Sequence, residues 1–168
     1  MSLLRQMIAD GVVDPKERDS IVRPYLMSHG TLECYSLVET RKFYEEFLGL
    51  ETVRHAPIGM AVRLGLKFHI ICLEVGSTLK SVGLGNHWGV DVESKEKVDE
   101  AHLAAMRHKD QYKIRHIGHP TQQHGAYSFY MEDLDHNWWE IQHIPNFLHD
   151  DLFEFGDLFT SDGQPVVG

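Results

Sequence analysis

Histidine is over-supplied in this chain of 168 residues: there are twelve, scattered and with no continuous run. Imidazole changes charge near neutral pH and, when neutral, ligates metals, so these residues are the raw material for proton transfer or ligation. Two of them, His29 and His87, open segments that read alike, HGTLECYSL (29–37) and HWGVDVE (87–93), 58 residues apart. In the first, Leu32 and Cys34 face one way and His29, Thr31, Glu33 and Tyr35 the other; in the second, Val90 and Val92 oppose His87, Gly89 and Asp91. Such period-two alternation is the signature of a strand. Both histidines lie opposite the apolar residues that pack on helices, and so point into whatever two sheets enclose. A third candidate, Glu140, lies between Trp138, Trp139 and Ile141. A carboxylate in that apolar context is costly without something to offset its charge. If the turn EDLDHN centres on Asp135, Tyr130 and Glu140 are equidistant from it and face each other across a hairpin.

The elements that must position these residues occur twice. After the first strand, VETRKFYEEFLGL has Phe43, Phe47 and Leu50 at helical spacing, with Gly49 as its stop. Strands over 50–55, 59–65 and 68–75 follow, divided by Pro57-Ile58-Gly59 and by Gly65. Beyond the connector GSTLKSVGLG, a strand at 87–93 leads to a helix capped by Ser94, then to strands near 112–117, 126–132 and 138–143. The order is βαβββ, twice. Residues 1–25 are a helical extension, with Asp14-Pro15 a good helix start, and 146–168 form a tail whose Phe147, Phe153, Phe155 and Phe159 gain from burial. The domain between them, 26–145, divides into modules 26–76 and 86–145.

Sixteen basic against twenty-five acidic side chains leave a formal charge of −9, which disfavours nucleic acid and anionic membranes as partners. No apolar stretch approaches the ~20 residues of a membrane span, and the opening MSLLRQMIADG lacks the core of a secretion signal. Cys34 and Cys72 sit in apolar runs and read as buried thiols of a reducing compartment. A cytoplasmic protein that takes a small-molecule substrate is the expectation, with a homodimer as an assembly open to it.

HGTLECYSL with RKFYEEFLGL, NHWGVDVES, and FYMEDLDHNWWEIQ together resemble the vicinal oxygen chelate superfamily of glyoxalase, bleomycin-resistance and extradiol dioxygenase proteins, over about residues 27–143. The resemblance implies an α+β fold in which two βαβββ modules form a cupped half-barrel sheet. It also implies metal ligands from the first strand of each module and from the last strand: His29, His87 and Glu140. Two imidazoles and one carboxylate suit a borderline divalent metal and leave one face open, as in non-haem Fe(II) oxygenases; Mn(II) or Zn(II) fit the same groups. A fourth ligand common in the family, a glutamate ending the first module, is replaced by Ile70 or Ile71, with Glu74 a few residues too late. Its absence points away from glyoxalase I and towards an extradiol dioxygenase cleaving a catechol-like diol with O2. In that reading Tyr130, ten residues before Glu140, donates a hydrogen bond, and His124 or His69 is the acid/base. Asp91 and Glu33 are candidates to orient the ligands. The resemblance departs at the turn, where Leu134 and His136 replace a usual proline and glycine. Two alternatives share the fold: a lyase, isomerase or transferase using the metal as a Lewis acid, and a non-catalytic binder of a small ligand.

Overall fold

A computed structural model describes residues 21, 28–65, 68–123, 125–145, 160, 164 and 165. The expected N-terminal helices, nearly all of the C-terminal tail, and His124 lie outside the described residues.

The chain is α+β, with two mixed sheets from two βαβββ-like modules. Module one comprises β1 (His29–Cys34), α1 (Leu37–Lys42) running into a π-turn (Phe43–Phe47), β2 (Glu51–Ala56), β3 (Gly59–Arg63) and β4 (His69–Glu74). Gly49, at φ 70°, ends the helical segment in the left-handed conformation that glycine adopts without a Cβ penalty. Module two comprises β5 (His87–Asp91), α2 (Lys95–Arg107), β6 (His116–Ile117), β7 (Thr121–Gln123), β8 (Ala126–Glu132) and β9 (Trp138–His143). The Ser94 hydroxyl accepts from Lys97 N at 3.3 Å, the expected cap of α2.

The strand expected near 112–117 differs. Residues 108–114 instead extend α2 through turns, with Tyr112 N bonded to His108 O and Ile114 N to Lys109 O. What remains of it is β6, and a short strand outside that expectation, β7, follows beyond Gly118 and the donor-less Pro120; both pair antiparallel with β8.

The sheets are built alike, in the orders β1-β4-β3-β2 and β5-β9-β8-β6, with β7 also on β8. In each, the first strand pairs in parallel with the last: His29 with His69, and His87 with Trp138. One core serves both modules. Trp139 of β9 meets Tyr44 edge-on at 5.4 Å between ring centroids, and Phe43 meets Tyr112 at 6.2 Å. Leu32, Met60 and Val62 from the first sheet join Phe129, Met131 and Ile141 from the second.

The β8–β9 turn is also a structural plug. Its acidic residues are buried against module one rather than facing water. Asp135 accepts from Tyr35 N at 2.7 Å and from the Thr40 hydroxyl at 2.5 Å, and the Asn137 amide donates to Glu33 O at 2.9 Å. Asp133 accepts from Asp135 N, Asn137 N and Trp139 Nε1, all at 2.8–2.9 Å. His136, at the place where the resemblance expects glycine, takes the left-handed conformation, φ 64°. The bonds from the hairpin turn, accepted by Asp135 and donated by Asn137, lock β9, and with it Glu140, onto the first module.

Candidate functional site

Register assigns the face. In β5 and β9 Gly89 pairs with Glu140, and in β8 and β9 Tyr130 pairs with Glu140 and Ser128 with Gln142. His87, Glu140, Tyr130 and Ser128 therefore project from one side of the second sheet, opposite Val90, Trp139 and Ile141, which turn to the core. The cross-strand pairing of Tyr130 with Glu140 is the one expected from the turn.

The side chains meet. His87 Nε2 lies 3.3 Å from Glu140 Oε2, and the Tyr130 ring stands edge-on to His87 at 5.1 Å between centroids. His87 Nδ1 is 2.9 Å from the carbonyl oxygen of Leu84. A carbonyl only accepts, so Nδ1 carries the proton and a neutral His87 presents its Nε2 lone pair to a carboxylate oxygen. Two acceptors face each other there. That contact is favourable only with a proton or a cation between them. Glu140 is only 8% exposed, and Ser128, fully buried, donates to its other oxygen, Oε1, at 2.7 Å. Burial, then the hydrogen bond and charge of Glu140, push the Tyr130 hydroxyl up to about 12, which keeps it protonated and able to donate at neutral pH.

Two donor atoms each about 2.1 Å from one divalent ion lie roughly 3.0–3.4 Å apart. The observed 3.3 Å falls in that span, so His87 and Glu140 fit as adjacent ligands. His29 does not join them. It stands exposed on β1, its Nδ1 2.8 Å from the Ser28 hydroxyl and its ring stacked on that of His69 at 5.7 Å. Among the described residues no group of three or more His, Cys, Asp or Glu side chains is placed to hold a metal ion. The expected set is thus brought together in two parts, His87 with Glu140 and Tyr130 on the second sheet, His29 with His69 on the first.

Equating the two parallel pairs, His29 with His69 and His87 with Trp138, puts Ile71 at the place of Glu140. The missing fourth carboxylate is therefore a missing side chain, not a shifted register. Glu74 is occupied elsewhere: its Oε2 accepts from Leu37 N at 2.7 Å, at the start of α1. Ser128 and, through it, Gln123 are site residues that the sequence reading missed. The available signal was phase, since Ser128 is two residues before Tyr130 in one strand and so shares its face.

Two cavities flank the sheets. One, about 630 Å³, runs between the first sheet and the connector and is lined by Thr31, Glu33, Lys80, Asn86, His87 and Asn137 among others. The second, about 580 Å³, is largely apolar and opens on the opposite side, against Val90 and Trp139.

The same arrangement of two modules is found in solved structures. A glyoxalase/bleomycin resistance protein/dioxygenase family enzyme from Burkholderia phytofirmans PsJN is 18% identical and superposes with a TM-score of 0.58 over 71% of this chain and 98% of that one. The chain has the vicinal oxygen chelate fold. The fosfomycin resistance protein FosX from Listeria monocytogenes shares it, at 22% identity and a TM-score of 0.55 over 74% of this chain and 95% of that one. So does a lactoylglutathione lyase from Agrobacterium tumefaciens, at 20% identity and 0.52 over 71% and 94%. No protein-family model and no curated protein matches the sequence. At these identities the likeness carries the vicinal oxygen chelate architecture and leaves the reaction to the site. Among the described residues no helix is long and apolar enough to cross a membrane.

Proposed function

We propose that this chain is a metal-dependent enzyme whose substrate presents two adjacent oxygens, and more finely an extradiol-type dioxygenase acting on a catechol-like diol with Fe(II). The observation that carries the proposal is the His87 Nε2–Glu140 Oε2 pair at 3.3 Å, with the His87 proton committed to Leu84 on the far side of the ring. Such a pair is a poor hydrogen bond when His87 is neutral and a good bidentate edge for a cation. Ile71 at the place of a fourth carboxylate supports a three-ligand site with open positions.

His29 is the third ligand of this proposal. Within one chain it lies on β1, an edge strand of the other sheet, stacked on His69 of the neighbouring β4, so a second copy of the chain is the natural source of it. A homodimer would then deliver His69 alongside His29, placing a candidate acid/base next to the ligands. His124 keeps the role of alternative acid/base. Bound Fe(II) would supply Lewis acidity towards the chelated diol and a site for O2. Tyr130, protonated at neutral pH beside Glu140, would donate its hydroxyl proton as a hydrogen bond to a substrate or dioxygen atom.

The lyase alternative is favoured by one observation, that a lactoylglutathione lyase shares the fold. Purification without oxygen, metal analysis and an oxygen-electrode trace with catechols separate the two. Iron with oxygen uptake is expected; tightly held Zn(II) or Mn(II) without uptake would transfer the proposal to Lewis-acid chemistry. Protein that binds no metal would reduce it to ligand sequestration.

A further inference from the structure

We infer that Ser128, oriented by Gln123, is a positioning residue for Glu140: it ties down Oε1 so that Oε2 is the oxygen offered to an ion. The inference rests on the metal reading of His87 and Glu140. Ser128 is fully buried, and its hydroxyl has a single proton. That proton goes to Glu140 Oε1 at 2.7 Å, because a carboxylate can only accept. The remaining lone pairs are met by Gln123 Nε2 at 3.0 Å. The chain of hydrogen bonds therefore runs one way, from the Gln123 amide to the Ser128 hydroxyl to the Glu140 carboxylate.

Two further features support a positioning role. Gln123 belongs to β7, the short strand beyond the Gly118–Pro120 break, and its register opposite Ala126 puts it on the same face as Ser128. The break thus brings an amide over a serine that β6 alone would not reach. The first sheet provides an internal control. Equating the antiparallel pairs Gly59–Leu73 and Ser128–Gln142 puts Gly59 where Ser128 stands, and Ile71 is where Glu140 stands. The hydroxyl is present in the module that has the carboxylate and absent from the one that lacks it. A carboxylate fixed at one oxygen cannot rotate away from His87, so its second oxygen is held ready as a ligand at no further cost in order.

Cobalt(II) titration of the full chain, followed by visible absorption, tests this without any substrate. The wild-type chain binds Co2+ and Glu140→Ala does not. Ser128→Ala weakens binding by about 10–100-fold, the usual loss when a partner of a ligand is removed. Ser128→Thr, which keeps the hydroxyl, stays within a few-fold of wild type. Gln123→Leu, at a half-buried edge position, weakens binding less than Ser128→Ala while leaving the thermal midpoint of the metal-free protein in place, and it decides the matter if Ser128→Ala fails to fold. Wild-type binding with unchanged affinity in Ser128→Ala, or in a sole folded Gln123→Leu, overturns the positioning role and leaves the metal reading standing. No Co2+ binding by the wild-type chain overturns the metal reading and the positioning role with it.

Discussion

The equivalent faces of the two sheets show how far a duplicated architecture can diverge in chemistry. On the second sheet the three positions around the site are Ser128, Tyr130 and Glu140; on the first they are Gly59, Ala61 and Ile71. Polar groups that hydrogen-bond one another occupy one face, and small or apolar ones the other. The histidines are the exception: His29 and His87 occupy matching places, but His87 meets a carboxylate and His29 meets His69. Repetition of the backbone thus preserves where a side chain projects, while the polar groups that touch one another are concentrated in module two. The apolar neighbours on the first sheet, with Val53 still 64% exposed, leave that face suited to being covered.

The largest test sets Glu140 against its counterpart. If the proposed metal site holds, Glu140→Ala and His87→Ala each lower activity at least about a thousandfold, since a lost ligand removes several kcal/mol of transition-state stabilisation. Ile71→Ala, at the same place in the other module, leaves metal content unchanged. Metal analysis and steady-state rates of the three variants would break the contrast if Ile71→Ala lost metal or Glu140→Ala retained it.

A packing contrast comes next. Trp139 and Ile70 are equivalent one step along the same strands, but Trp139 is almost wholly buried against Tyr44 at the junction of the modules, whereas Ile70 is half-buried. Trp139→Ala should cost about 3–5 kcal/mol, and Ile70→Ala less than the 2–5 kcal/mol of a fully buried site. Urea unfolding followed by circular dichroism gives both. Equal losses would mean that the modules do not share one core.

Much of this molecule was legible in its sequence. Period two placed β8 and β9 at residues 126–132 and 138–143, and Gly49 and Ser94 marked a helix stop and a helix start. The facing of Tyr130 and Glu140 followed from counting out from Asp135. What stayed hidden depended on distance or on polar residues. Thr121-Gln122-Gln123 carries no apolar alternation, so β7 had no period to read. Asp135 and Asn137 look like part of a solvated turn, because their partners Tyr35, Thr40 and Glu33 are about a hundred residues away. The separation of His29 from His87 within one chain is likewise a matter of how modules pack, which alternation does not encode.

That plug titrates. Burial, and then the charge of Asp135, push the Asp133 carboxyl up to about 7, against the bonds from Trp139 Nε1 and two backbone N–H groups that favour its charged form. A folded-state pKa raised above the unfolded value near 4 contributes stability that is fully present below pH 4 and is lost as pH rises through about 7. The contribution of Asp133 across that window is at most about 4 kcal/mol, at 1.36 kcal/mol per unit. Asp133→Asn removes the charge and should flatten that part of the pH profile, at the expense of a donor facing Trp139 Nε1. Thermal melts between pH 4 and 8 that kept the same slope in the variant would remove Asp133 as its source. The first module's counterpart, the sequence LGLKF (64–68) between β3 and β4, contains no acid.

The smallest effect concerns how each helix begins. α2 is capped locally, by Ser94 on Lys97 N, whereas Ser36 at the corresponding start of α1 makes no side-chain cap. Its place is taken across the sheet by Glu74, whose carboxylate accepts from Leu37 N at 2.7 Å and brings negative charge to the positive end of the helix. Glu74→Ala should therefore cost about 1 kcal/mol, as a lost cap does, while Glu74→Gln keeps an acceptor oxygen and loses only the charge. Ser94→Ala should match Glu74→Ala, and Ser36→Ala should be close to neutral. Chemical denaturation of the four variants settles the pairing. A costly Ser36→Ala with a neutral Glu74→Ala would return the cap to its usual local position, and Glu74 would then be free to be considered again as a ligand.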